Sequence, residues 1–263
     1  MKMKIACLMI FLASSIFSWA DEQSVSAKDL FYAQVKAVKT VKTRPTHQGP
    51  AAGRKSNLHG SSGNTGNEFK GALGSPLNTG LRYQLIQRLP DGTEAPVNLD
   101  SSFQSGDHIR LSFESNMKGY LYVVQQGSTG NWTVLFPDPR INGGQNTIDS
   151  GNKYVVPAKG WFYFDENPGA ERLMVFLSQK PLDTLDNFLP GGSRSADPAR
   201  PTVNQSIVDE LNNNITSENV KTRALVFEKD TSPPPNGGRP APAAYVVNKL
   251  GNAVVAEIIL SHN

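Results

Sequence analysis

The sequence predicts an all-β fold: a β-sandwich, immunoglobulin-like or related, with a flexible N-terminal tail and a short helical excursion. Three observations carry this expectation. Residues 103–182 read as an almost unbroken string of short apolar β-strands, clearest in Gly119-Tyr120-Leu121-Tyr122-Val123-Val124 and Trp132-Thr133-Val134-Leu135-Phe136. Turn-forming Gly, Pro and Asn separate these runs. Further apolar runs return near the C-terminus, where they have no partners except the central strands. One open sheet would leave an apolar face in water, so two packed sheets are expected.

The elements follow in chain order. Residues 1–20 have the form of a cleavable signal peptide. Lys2 and Lys4 precede the apolar run Ile5 to Phe17, and Ser18-Trp19-Ala20 places small residues before a cut at Asp21. The run is too short for a stop-transfer helix, so no transmembrane segment is expected after processing. Residues 21–42 are expected to hold a short helix over 26–39 and a basic arm. Ser26 would cap the helix, and Leu30, Phe31, Val35 and Val38 give it a loose apolar face. Residues 43–76 are rich in Gly, Ser, Asn, Thr and Pro and read as a flexible linker.

The sandwich is expected over residues 77–263. Leu81 to Ile86 begins it, and Pro90-Asp91-Gly92 marks a turn. Ile109, Leu111 and Phe113 alternate with polar residues. Strands are then expected at 120–124, 132–136, 154–157, 161–164 and 173–177. Residues 183–220 interrupt the pattern as a surface excursion. Thr202 and Gln205 have capping-box spacing, and Val203, Ile207, Val208, Leu211 and Ile215 share a helical face. The closing strands are 224–227, 244–247 and 254–260, with a stiff Pro233-Pro234-Pro235 loop after the first.

Composition narrows the function classes. The single cysteine, Cys7, lies in the signal segment, which leaves the remainder without disulfides or thiolate chemistry. Removing Lys2 and Lys4 from the 26 basic side chains leaves 24 against 23 acidic ones. That balance argues against nucleic acid as a partner.

Phe103-x-x-Gly106-Asp107, Gly119-Tyr120-Leu121-Tyr122, Leu135-Phe136-Pro137, Asn146-x-Ile148, Gly151-x-x-Tyr154-x-Val156-Pro157 and Pro168-Gly169-x-Glu171 occur in that order. Together they resemble a domain-of-unknown-function family of bacterial exported proteins. That family is also found fused to caspase-like peptidases and to protein kinases. The resemblance covers residues 81–181 well and the flanks weakly. It implies an all-β domain with no assigned activity, so no catalytic residue is carried over. The 183–220 excursion departs from the family pattern, and neither a peptidase nor a kinase domain accompanies it.

Candidate chemistry is sparse. Asp165, Glu166 and Glu171 are the nearest approach to a paired-carboxylate hydrolase site, but they flank the turn Asn167-Pro168-Gly169. His47, His59, His108 and His262 have no metal-ligand spacing. Asp138, Asn142, Asn146, Asp149 and Asn152 are oxygen-rich without a calcium-loop pattern. No nucleophile elbow and no phosphate loop occurs, so no metal or cofactor is expected. Trp132, Trp161, Phe162 and Tyr163 would stack on sugar rings if they faced outward, although alternation sends some of them to the core. Lys36, Lys39, Lys42, Arg44, Arg54 and Lys55 form a cationic set with no intervening carboxylate, suited to an anionic surface.

The expectation is therefore an exported, non-catalytic binding or assembly module. Its partner would be an envelope protein or an anionic envelope surface. An envelope hydrolase using the carboxylates near 165–171, and a carbohydrate-binding module using Trp132 or Trp161, are the alternatives.

Overall fold

The computed structural model describes residues 25–43, 78–126, 132–187, 189, 201–222, 224–232 and 241–263. The signal segment, nearly all of the 43–76 linker and the triple-proline loop lie outside these residues. The described elements begin with α1 (Ala27–Thr43), then β1 (Thr79–Arg88), β2 (Glu94–Val97), β3 (His108–Ser115), β4 (Gly119–Gln126) and β5 (Trp132–Phe136). It continues through β6 (Thr147–Ile148), β7 (Lys153–Val156), β8 (Phe162–Tyr163), β9 (Gly169–Ser178), α2 (Asp183–Asp186) and β10 (Thr202–Val203). It closes with α3 (Gln205–Thr222), β11 (Leu225–Asp230), β12 (Ala243–Asn248) and β13 (Ala253–His262).

The strands form two antiparallel sheets, as the alternation requires. Sheet A has seven strands in the order β11-β12-β1-β3-β7, with β2 also on β1 and β8 also on β3. Sheet B has six in the order β10-β5-β4-β9-β13, with β6 also on β4. Leu81, Leu85, Leu111 and Phe113 of sheet A meet Leu121, Val123, Val175 and Leu177 of sheet B in the main core. At the β1–β2 turn Gly92 sits at φ 83°, a conformation that glycine adopts without a side-chain clash.

The opposite faces are also apolar, and helices cover them. Tyr122, Val124, Met174 and Phe176 lie on the outer face of sheet B against Val208, Leu211 and Ile215 of α3. Ala243, Tyr245 and Val247 lie on the outer face of sheet A against Ala27, Phe31 and Val35 of α1. The expected helical excursion is present as α3, which serves as a covering layer. The reason is that β4 and β9 are apolar at both parities, so sheet B needs cover on both faces.

Two local expectations are corrected. Thr202 does not cap α3. The Val134 N–H donates to the Pro201 carbonyl (2.9 Å), which draws Thr202 into a ladder opposite Thr133. The helix starts after Asn204, whose carbonyl accepts the Ile207 N–H (3.1 Å). Second, α1 runs to Thr43, past the end of the helix expected over 26–39, so Lys42 lies on the helix and not on an arm beyond it. Val35 is buried on the sheet side, and the Ala, Lys and Gln positions around it tolerate helix well.

Candidate functional site

The candidate carboxylates flank an exposed turn over residues 165–170. Asp165 is exposed, and its two oxygens accept the backbone N–H (2.8 Å) and side-chain N–H (3.2 Å) of Asn167. These two hydrogen bonds hold its carboxyl below the usual carboxylate range, opposite to what a general acid requires. Glu166 is exposed. Glu171 accepts a hydrogen bond from Gln125 (2.8 Å) and lines a recess of about 60 Å³ with Phe162, Phe164 and Leu173. Such a recess is far below the usual few hundred Å³ of a small-molecule site.

The two tryptophans have different fates. Trp132 is fully buried, at 0 % exposure, and its indole N–H donates to Gln205 Oε1 (2.6 Å) under α3. This overturns Trp132 as a ligand-contacting aromatic. It lies on the outer parity of β5, but α3 covers that parity. Trp161 is half-buried, with the Arg110 guanidinium 4.1 Å above its ring. Phe162 packs against the main core, whereas Tyr163 is 60 % exposed.

Of the cationic set, Lys36 is exposed on α1. Lys39 and Lys42 follow at three-residue steps on the same helix, and Arg44, Arg54 and Lys55 lie outside the described residues. Two residues of the oxygen-rich loop are engaged with protein partners. Asp138 accepts from Arg140 Nε (2.8 Å), and Asn146 donates to Asp186 (2.9 Å). Among the described residues no group of three His, Cys, Asp or Glu gathers as a metal site. His108 stands edge-on to Tyr163, and His262 is buried beside Phe164. His47 and His59 lie outside the described residues.

The open strand edges are more informative. Among the described strands, β7 is paired only with β3, and a shallow groove lined by Ile141 and the 151–155 backbone runs beside it. At the other end of sheet A, β11 is paired only with β12. Its two faces differ. Val226 packs under α1, the Glu228 carboxylate accepts from Ser26 Oγ (2.6 Å) and Lys28 N (3.1 Å), and Asp230 pairs with Lys28 (2.6 Å). On the opposite face Leu225 and Phe227 are 42 % and 52 % exposed. Phe227 is in register with Val246, which belongs to the main core, so the core ends one strand short of β11.

Sequence reasoning placed β11 as a strand and missed the exposure of Leu225 and Phe227. Parity shows that the two residues share a face but not that the cover has stopped. Arg88 and Arg110 were missed as well. Their signal is register: both face the same way as the outward aromatic Tyr163, across β1, β3 and β8.

A family model described as "Domain of unknown function (DUF4384)" matches residues 102–181. No curated protein and no solved structure matches the chain. Residues 102–181 are therefore similar to that unknown-function family, and the matched stretch takes in β3 to β9. It supplies strands to both sheets, but sheet A is completed by β1, β2, β11 and β12 from outside the match. No helix among the described residues is long and apolar enough to cross a membrane.

Proposed function

We propose that this chain is an exported, non-catalytic β-sandwich module that binds an extended segment of a partner protein by strand pairing at β11. The observation that carries the reading is the β11 edge. Among the described strands it is unpaired on one side, and it displays Leu225 and Phe227 two residues apart on one face. An incoming strand would satisfy the free N–H and C=O groups, and alternate apolar side chains on it would cover Leu225 and Phe227. The strand is already held in place. Ser26 and Lys28 of the α1 region bind Glu228 and Asp230 on its other face, so little ordering is left for the partner to supply. Export is supported by the Lys2, Lys4 and Ile5 to Phe17 pattern ahead of Ser18-Trp19-Ala20.

Selection from a displayed library of random nine-residue peptides tests this function. Enriched peptides are expected to alternate apolar and polar residues and to lose binding to Phe227→Lys. That variant should keep its urea midpoint within about 0.5 kcal/mol of stability, because Phe227 is half exposed. Absence of an alternating consensus, or binding indifferent to Phe227→Lys, would contradict the reading.

A further inference from the structure

At the end of sheet A away from β11, the outer face carries a second and chemically different surface. Strand register defines it. Arg88 is opposite Glu94, and His108 is opposite Tyr163. Ile86 is opposite both Pro96 and Arg110. Residues opposite one another, or two apart along a strand, share a face. The β1–β3 register, continued by one residue pair, sets Arg88 beside His108. The β3–β8 register, continued by two, sets Arg110 beside Trp161, in agreement with their contact. Two rows therefore cross β2, β1, β3 and β8: Glu94, Arg88, His108, Tyr163, and behind them Pro96, Ile86, Arg110, Trp161. Three strand spacings make each row roughly 14 Å long, enough for several consecutive sugar rings.

The rear row is rigid. The Arg110 guanidinium lies on Trp161, donates through Nε to the Gly160 carbonyl (2.8 Å), and pairs with Glu94 (3.3 Å). Apart from Glu94, the front row is unspent. The Arg88 guanidinium, the His108 ring nitrogens and the Tyr163 hydroxyl have no hydrogen-bond partner among the described residues, and Arg88 and Tyr163 are exposed. Helix α1 lies over β12, β11 and the first half of β1, which leaves these residues uncovered among the described ones.

We propose that this face binds an acidic saccharide, with Tyr163 and the Trp161–Arg110 stack as its platform and Arg88 as the partner of its carboxylate. An aromatic face offers contact to the C–H faces of a sugar ring, and His108 and the Tyr163 hydroxyl offer hydrogen bonds to its hydroxyls. Charge sets the class of sugar. Two guanidiniums face one carboxylate, Glu94, and Arg110 already pairs with that carboxylate, so Arg88 is left to bind an anion. A guanidinium fork matches a carboxylate with two parallel hydrogen bonds. A strand-pairing peptide is disfavoured here, because β1 and β3 are interior strands with partners on both sides and the flanking strands β2 and β8 are only four and two residues long. The surface is separate from β11, so each can fail alone.

The test is calorimetric titration of the full chain with trigalacturonate, with cellotriose as the neutral control and hexaglutamate as the acidic peptide control. Trigalacturonate is expected to bind, to weaken about tenfold in Tyr163→Ala and several-fold in Arg88→Ala, and to weaken as salt rises. Phe227→Lys should leave its binding unchanged. Tyr163 and Arg88 are exposed, so both variants should keep the parent's urea midpoint, which separates lost binding from lost folding. No binding of trigalacturonate, binding of cellotriose with equal affinity, tighter binding of hexaglutamate, or indifference to Tyr163→Ala or Arg88→Ala would each overturn the proposal.

Discussion

The two ends of sheet A are built from the same ladder and finished differently. At the β11–β12 end the outer face is apolar, and α1 buries it with Ala27, Phe31 and Val35 against Tyr245 and Val247. At the β2–β8 end the outer face carries Glu94, Arg88, Arg110, His108 and Tyr163, and no described helix covers it. The first end leaves an unpaired edge with Leu225 and Phe227 showing, which suits an extended apolar segment. The second leaves a face of aromatic and cationic groups centred on the interior strands β1 and β3, which suits a ligand that needs no backbone. Burial follows the apolar parity, and what stays outside sets the chemistry available for binding.

The largest expected effect lies under α1. Phe31 is fully buried, so Phe31→Ala should cost about 3–5 kcal/mol in urea unfolding. Tyr163→Ala at the other end should cost less than about 0.5 kcal/mol. Comparable losses in both would mean that the bare end is packed. Tyr245→Phe is next, at about 1 kcal/mol. It removes the hydroxyl that accepts from Arg82 Nε (3.1 Å) and meets the Tyr32 hydroxyl (3.4 Å), and an unchanged midpoint would remove the polar contribution to α1 docking.

Alkaline pH probes the shared core. Burial pushes the Tyr83 hydroxyl up to about 12, against about 10 in the unfolded chain. The unfolded state then loses its proton first, so stability should be complete below about pH 10 and fall as pH rises toward 12. Tyr83→Phe should make that decline shallower, as read from urea midpoints between pH 9 and 11. The same slope in parent and variant would contradict the assignment.

The smallest effect is at the α1–β11 ion pair. Burial alone would raise the Asp230 carboxyl, but the hydrogen bond from Lys28 and those from Ser232 outweigh it and hold the carboxyl below its usual value. Its contribution should be present above about pH 4 and lost as pH falls through the depressed value. Asp230 also lifts the Lys28 ammonium, mainly through their hydrogen bond, so that contribution lasts until pH rises through the raised value. The pair is partly exposed, so Asp230→Asn should cost under about 1 kcal/mol near neutral pH and flatten the acid limb.

Much of this was legible in the residues. Alternation at Ile109, Leu111 and Phe113 gives β3 its inward face, and Asp91-Gly92 gives the β1–β2 turn. Strand β2 was not foreseen, because Pro96 argues against a strand; an edge strand paired on one side tolerates it. The layering was legible in principle. Tyr122 and Val124 are apolar on one parity and Leu121 and Val123 on the other, which demands a cover on each face. What the sequence could not say is where a cover stops. Trp132 and Trp161 look alike in the chain, yet α3 reaches only the first. Leu225 resembles Leu81 as a strand residue, yet the core ends before it.

Hydrogen exchange of the backbone amides, with and without a library-selected peptide, tests the β11 assignment most directly. Slowed exchange is expected only in Leu225–Asp230 and the adjoining strand β12, with amides of β2 and β8 unchanged. Protection centred on β7, β13 or the β2–β8 end, or no protection of β11 in a peptide complex, would contradict it.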